Sequence, residues 1–193
     1  MNILITGAFG FVGSNLSAAF KKDLNCHLVA LDVNKPDKHI YDSFLNWQQI
    51  QGIHDLDLNA IIHLAGKAHD TKKATDEKVY FDVNLGLTKQ IFDFFLQSSA
   101  EKFVFFSSVK AVADKVNGSQ LKEDIVPDPQ SPYGKSKLAA ENYILSQKLP
   151  INKRVYIIRP CMIHGPGNKG NLNLLYNIVQ KKIPWPLGRF QNL

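Results

Sequence analysis

Cysteine is scarce in this chain of 193 residues: there are two, Cys26 and Cys161, far apart in sequence. They form neither a CxxC pair nor a disulfide framework, so the expected setting is reducing and cytoplasmic. Long apolar runs are missing too; none reaches the roughly 18 to 20 residues that a membrane-crossing helix needs. With 12 Gly and 9 Pro the chain is neither collagen-like nor a flexible linker. No tract of one charge occurs. The 23 basic and 17 acidic residues leave a net +6, and lysines come as scattered pairs such as Lys21-Lys22, Lys72-Lys73 and Lys181-Lys182. That pattern describes a solvated surface, not a nucleic-acid footprint, although a mild positive bias also suits a diphosphate-bearing substrate. The first twenty residues are apolar but lack a basic n-region and are interrupted by glycines, which argues against a secretory signal.

What is present is an ordinary globular composition, 45% hydrophobic, with strand-like and helix-like segments in alternation. Asn2 to Thr6 reads as a short buried strand stopping at Gly7, and Phe11 to Lys22 as a helix with Val12, Leu16, Ala19 and Phe20 on one face. Strands are expected at 27–31, 60–64, 103–106 and 155–158, with a short one near Phe44 to Trp47. Long helices are expected at 76–98, carrying Val79, Val83, Leu87, Ile91 and Phe94 on one face, and at 133–147; a further helix covers 172–181. This order implies βαβ units and an α/β, Rossmann-type doubly wound parallel sheet. Residues 1–165 read as a dinucleotide-binding domain and 166–193 as the start of a second lobe.

The segment Gly7-Ala8-Phe9-Gly10-Phe11-Val12-Gly13 joins the first strand to the first helix. Gly7 permits a tight turn, Gly10 lets backbone approach a pyrophosphate, and Gly13 lets helix pack closely on strand. The backbone of Phe9, Phe11 and Val12 completes the cradle. Asp32 ends the next strand, nineteen residues beyond Gly13. There a carboxylate binds ribose hydroxyls and repels a 2′-phosphate, favouring NAD, while Lys35 nearby keeps NADP open. Tyr133 and Lys137 stand four apart on an expected helix, on one face. A free phenol, with a pKa near 10, is a poor base at neutral pH; a neighbouring ammonium is expected to lower it. Ser108 follows the strand at 103–106, on the carboxyl edge where such sheets bind ligands.

The GxxGxxG spacing, Ser107-Ser108 and Tyr133-Gly134-Lys135-Ser136-Lys137 together resemble the extended short-chain dehydrogenase/reductases, and among them the nucleotide-sugar epimerase/dehydratase group. Ile61 to Gly66 (IIHLAG) is similar to that family's strand end against the cofactor, Asn84 to Thr88 to its helix motif, and Arg159-Pro160 with Gly165-Pro166-Gly167 to its RP…GPG segment. The resemblance runs from Met1 to about Gly188. It implies cofactor contacts from Leu64, Ala65, Gly66, Asn84, Ser107, Arg159 and Pro160. It further implies Ser108 on the reacting oxygen, Tyr133 moving the proton, and Lys137 holding the nicotinamide ribose. It implies a nucleotide-diphosphate sugar as substrate and a homodimer built on the 76–98 and 133–147 helices.

Departures from the family pattern narrow the reaction. Val109-Lys110 stand where dehydratases carry an acidic pair, and Val112-Ala113 where epimerases continue to Tyr-Gly. The run Ser107-Ser108-Val109-Lys110 is more similar to the branch that reduces 4-keto nucleotide sugars in polysaccharide biosynthesis; the expected activity is 4-epimerisation or that reduction, with Lys110 a candidate for substrate contact. The alternative is a binder of NAD(P) that keeps the fold without catalysis. His54, Asp55, Asp57, His63, His69 and Asp70 fit no metal-ligand spacing, so no metal is expected. Cys161 is expected as a buried, inert thiol, Trp47 either in the core or beside the adenine, and the Asn117 sequon as meaningless. Full-length relatives continue beyond the position of Leu193 into a lobe that grips the nucleotide; this chain is expected to hold NAD(H) and to be impaired in turnover.

Overall fold

The computed structural model describes residues 1–50, 56–68, 76–116, 118–168 and 171–182. His54, Asp55, His69, Asp70 and Asn117 lie outside them. The chain divides into two compact units, Met1–Cys161 and a second beginning at Met162.

In the first unit the strands are β1 (Asn2–Thr6), β2 (His27–Leu31), β3 (Ser43–Leu45), β4 (Ala60–His63), β5 (Lys102–Phe106) and β6 (Arg154–Ile158). They pair in the order β3-β2-β1-β4-β5-β6, every pairing parallel. The order reverses at β1, between β2 and β4, and ligands of such sheets bind in the crevice at the carboxyl ends beside that switch.

Because successive strand residues face opposite sides, each strand feeds two cores. Leu4, Val29, Leu31, Ile61, Phe103 and Phe105 join one cluster; Ile3, Ile5, Leu28, Ala30 and Ile62 join the other. Burial of a Leu or Phe of this kind is worth about 1.5–3 kcal/mol each, so the strands need no alternation of polar residues to stay paired. Trp47 packs on the first cluster.

Two helical faces differ from the periodicity expected of them. Helix α1 (Phe11–Asp23) buries Gly13 and Ser17, and Ala19 is exposed. Leu16 and Phe20 pack on the second core cluster as expected of that face, while Gly13 and Ser17 let the helix approach the sheet closely. The long helix is α2 (Glu77–Tyr80), a π-helical segment Phe81–Gly86, then α3 (Leu87–Gln97). Its buried stripe is Tyr80, Asn84, Thr88, Ile91, Phe92 and Phe95, while Val79 is exposed. The π-turn rotates the stripe onto two polar residues, and such turns are frequent at functional sites. Helix α4 (Pro132–Ser146) begins at Ser131, whose hydroxyl accepts from the Gly134 amide. Asp114 fixes that cap, accepting from the Ser131 amide and hydroxyl and the Gln130 amide. The second unit carries α5 (Asn171–Gln180). No helix among the described residues is long and apolar enough to cross a membrane.

Candidate functional site

The loop after β1 is built from backbone. Gly7 adopts φ +63°, and a Cβ there would lie 2.8 Å from the Ala65 amide nitrogen. A Cβ on Gly13 would meet the Gly7 and Ala8 carbonyl oxygens at 2.5 Å. Gly10 caps α1 in extended geometry with no side-chain cap on the first amides, where Phe11 and Val12 open the helix. An uncapped N-terminus over a glycine cradle is an anion-binding arrangement. The Asp32 carboxylate accepts from the Phe9 amide at 3.0 Å and from the Val33 amide at 2.7 Å, fixing it at the end of β2.

One loop residue escaped the reading of the sequence. Tyr41, buried, donates its hydroxyl to the Ala8 carbonyl at 2.8 Å and lies 3.2 Å from the Gly13 carbonyl. Its ring meets Phe9 edge-on at 5.4 Å. Burial pushes the Tyr41 phenol up, as does the nearby Asp32 charge, against a hydrogen bond from Ser17. The segment 33–58 has no periodicity that would single this tyrosine out.

At the end of β4 a hydrogen-bond chain crosses beneath the site. The Thr6 hydroxyl accepts from the Leu64 and Ala65 amides, so its own proton goes to His63 Nδ1 at 2.6 Å. The Thr88 hydroxyl donates to the Asn84 carbonyl at 2.6 Å, so it accepts from His63 Nε2 at 2.9 Å. These donors fix a neutral, Nε2-protonated imidazole. Burial holds His63 well below the usual histidine range, and the Lys137 charge adds to this. With both ring nitrogens committed, His63 is no metal ligand here. The Asn84 side chain accepts from the Lys67 amide, donates to the Lys67 carbonyl, and donates to Ser136 Oγ at 2.9 Å.

On the far side of the crevice β5 meets α4. Lys137, 4% exposed, donates to the Phe106 carbonyl at 2.8 Å and sits over the Phe105 ring. A Cβ on Gly66 would lie 3.4 Å from its Nζ. Burial brings Lys137 down to about 8, with the Glu141 charge opposing. Tyr133 is pushed up by burial, and a hydrogen bond with Ser108 pulls the other way. This reverses the expected lowering of the phenol. The ammonium spends its bond on a carbonyl, and desolvation dominates at Tyr133. Ser108 itself caps a short 3-10 turn, Val109–Ala111, accepting from the Lys110 amide. A Gly134 Cβ would meet the Lys110 carbonyl at 2.3 Å, so β-turn and helix touch through that glycine.

Ser107 and Arg159 turn elsewhere. The Ser107 hydroxyl donates to Glu141, and Arg159 grips the same carboxylate, 2.6 Å from Nη2 to Oε2. The Pro160 carbonyl accepts from the Val109 amide. Glu141 was not singled out from the sequence, though it stands one helical turn beyond Lys137 and two beyond Tyr133. Cys161 is exposed, not buried; it follows β6 beyond the packed core.

Residues 3–184 match the family described as "NAD dependent epimerase/dehydratase family". The chain is 32% identical to UDP-glucose 4-epimerase of Vibrio cholerae over 97% of its length and 59% of that protein's. It is 30% identical to N-acetyl-alpha-D-glucosaminyl-diphospho-ditrans,octacis-undecaprenol 4-epimerase of Escherichia coli O157:H7, over 94% of its length and 55% of that protein's. It thus spans somewhat more than half of these curated relatives. The solved structure of UDP-glucuronic acid 4-epimerase from Bacillus cereus in complex with NAD superposes with a TM-score of 0.74 at 24% identity, covering 95% of this chain and 64% of that one, and shares the fold.

Proposed function

The chain belongs to the NAD dependent epimerase/dehydratase family, and from that premise we propose that it binds NAD and carries the Ser-Tyr-Lys site of a nucleotide-sugar 4-epimerase or 4-keto reductase. One observation carries the reading: Ser108, Tyr133 and Lys137 converge from β5 and α4 beside Gly66, across from the glycine loop and Asp32.

The residues of the loop fit a dinucleotide. Gly7, Gly10 and Gly13 leave no Cβ in the cradle, and the uncapped amides of α1 receive the pyrophosphate. Asp32, already tied to two backbone amides, offers its remaining lone pairs to ribose hydroxyls and repels a 2′-phosphate. Bound nicotinamide supplies the hydride acceptor or donor. Ser108 then holds the sugar oxygen, Tyr133 takes or returns its proton, and Lys137 holds the ribose. Burial holds Tyr133 above its ordinary range, so its base form at working pH needs a further positive charge beside it. Val109-Lys110 in place of an acidic pair favours epimerisation or reduction over dehydration.

The reading extends to a nucleotide-diphosphate sugar from polysaccharide biosynthesis, to a cytoplasmic homodimer joined through the long helices, and to residues 166–193 as the opening of a substrate lobe. A monomeric mass at working concentration counts against the dimer.

The test is Tyr133→Phe, with NAD affinity measured by titration and turnover on UDP-glucose and on a 4-keto UDP-sugar with NADH read at high enzyme concentration against the parent chain's own reduced rate. Turnover falls by about 10²–10⁴-fold while NAD affinity holds. Isomerisation without net NADH loss marks an epimerase; stoichiometric NADH loss marks a reductase. Unchanged turnover in Tyr133→Phe, or failure of the parent chain to bind NAD, defeats the proposal.

A further inference from the structure

A buried carboxylate that the proposed chemistry does not use lies beneath the site. Glu141 is 1% exposed, and its lone pairs go to the Ser107 hydroxyl, to Arg159 Nε at 3.1 and 3.2 Å and to Arg159 Nη2 at 2.6 Å. Three elements meet at this group: α4 supplies Glu141, the segment after β6 supplies Arg159, and the end of β5 supplies Ser107. Backbone bonds close the same junction, from the Ser107 amide to the Ile158 carbonyl at 2.8 Å and from the Val109 amide to the Pro160 carbonyl at 3.1 Å.

Ser107 stands between the two residues that matter for the site. Phe106 offers its carbonyl to Lys137, and Ser108 meets Tyr133. A pin through the Ser107 side chain therefore sets both neighbours at once. We propose that Glu141, clamped by Arg159, is a positioning residue that locks Ser107 and so holds the end of β5 in register with Tyr133 and Lys137. The inference rests on the reading of Ser108, Tyr133 and Lys137 as the reacting set.

Energetics favour a positioning role over a purely stabilising one. Replacing a buried ion pair by neutral residues is often neutral for stability, whereas removing one partner is costly. The geometry gives a reason for the pair here: Arg159 is partly exposed and would be solvated without Glu141, while among the described residues Arg159 is the cation that pairs with Glu141. The charge of Glu141 also acts on Lys137, raising it against burial. Neutral His63 on β4 also feels that ammonium, and Arg159 lies behind Glu141.

Two readouts on the whole chain test this, and neither needs NAD, a sugar or turnover. The first is the titration of Lys137, followed through side-chain NMR signals assigned with Lys137→Arg. In Glu141→Gln the midpoint falls from about 8 by about one pH unit. The second is amide hydrogen exchange at Ser107 and Val109, which becomes about tenfold faster. Should Glu141→Gln fail to fold, the neutral pair Glu141→Gln/Arg159→Gln carries the exchange measurement, and the same acceleration is expected. A folded variant with exchange at Ser107 and Val109 as in the parent overturns the proposal, and so does an unmoved Lys137 midpoint in Glu141→Gln. A purely structural role would lower the unfolding temperature without speeding exchange at Ser107 and Val109 beyond that of the rest of the sheet. Because Tyr133→Phe is judged by turnover and these variants by exchange and titration, failure of one leaves the other standing.

Discussion

The two walls of the crevice are made in different ways. The β1–α1–β2 wall is a backbone construction: three glycines, an uncapped helix start and one carboxylate tied to amides. The β5–α4 wall is a side-chain construction, in which buried Ser107, Lys137, Ser136 and Glu141 bond to one another and to carbonyls. Backbone constructions tolerate no added atom but need few partners. Side-chain constructions tolerate changes of shape yet fail when one partner is lost, because each buried polar group left alone costs about 1–3 kcal/mol.

The largest effect should come from adding one carbon to the first wall. Alanine normally improves a helix over glycine by about 1 kcal/mol. At Gly13 the new Cβ would sit 2.5 Å from two carbonyl oxygens, and these belong to the loop itself and cannot swing away. Gly13→Ala is expected to lose about 3 kcal/mol and most NAD affinity. Gly86 provides the control, since its nearest neighbour to a Cβ is the Phe81 carbonyl at 3.9 Å. Gly86→Ala should be neutral or stabilising. Urea unfolding of both variants reads the contrast, and equal losses at the two sites would mean that the close approach of a Cβ at Gly13 does not set the cost.

That distinction also explains what could be read from the chain before its structure. Glycine spacing and an acid at a strand end survive as sequence patterns because they reflect where a Cβ is forbidden and where one carboxylate must stand. The parallel, doubly wound character of the sheet follows equally from apolar runs alternating with helices, whereas the strand order does not. The rest depends on contacts between distant residues. Tyr41 sits in an aperiodic stretch, and only the folded chain brings it to Ala8. Asn84 and Thr88 displaced the apolar stripe expected on the long helix, because a helix face that serves a site is polar where it should be greasy. Lys137 and Tyr133 were rightly placed on one face, yet the direction of the phenol's shift could not follow from spacing; it is set by burial and by which acceptor the ammonium finds.

An intermediate effect joins the walls. Neutral His63 lies between Thr6 of β1 and Thr88 of α3. Its folded pKa is held well below 6.5, so below that value the unfolded chain binds a proton that the folded chain refuses. Stability therefore falls as pH drops through 6.5 toward the folded value, by up to about 1.4 kcal/mol per pH unit for this one group. Urea unfolding at pH 7 and pH 5 should show the loss, and His63→Gln should flatten it while lowering stability at both. An equally steep slope in His63→Gln would assign the acid sensitivity to other groups and leave the hydrogen-bond chain without its titrating member.

The smallest effect asks whether the first wall is backbone alone. Tyr41 is a buried side-chain tie to it, donating to the Ala8 carbonyl at 2.8 Å from outside the loop. Tyr41→Phe keeps the ring against Phe9 and removes only that hydroxyl. The Ala8 carbonyl is left without this donor, at a cost of about 1 kcal/mol, and the loop between Gly7 and Gly13 gains freedom that NAD must remove on binding. A Kd for NAD weakened a few-fold, with stability lowered by no more than about 1 kcal/mol, would show the side chain tuning a cradle that glycine defines. An unchanged Kd would mean that the glycines and Asp32 fix the cradle unaided, and the contrast between a backbone wall and a side-chain wall would then be complete.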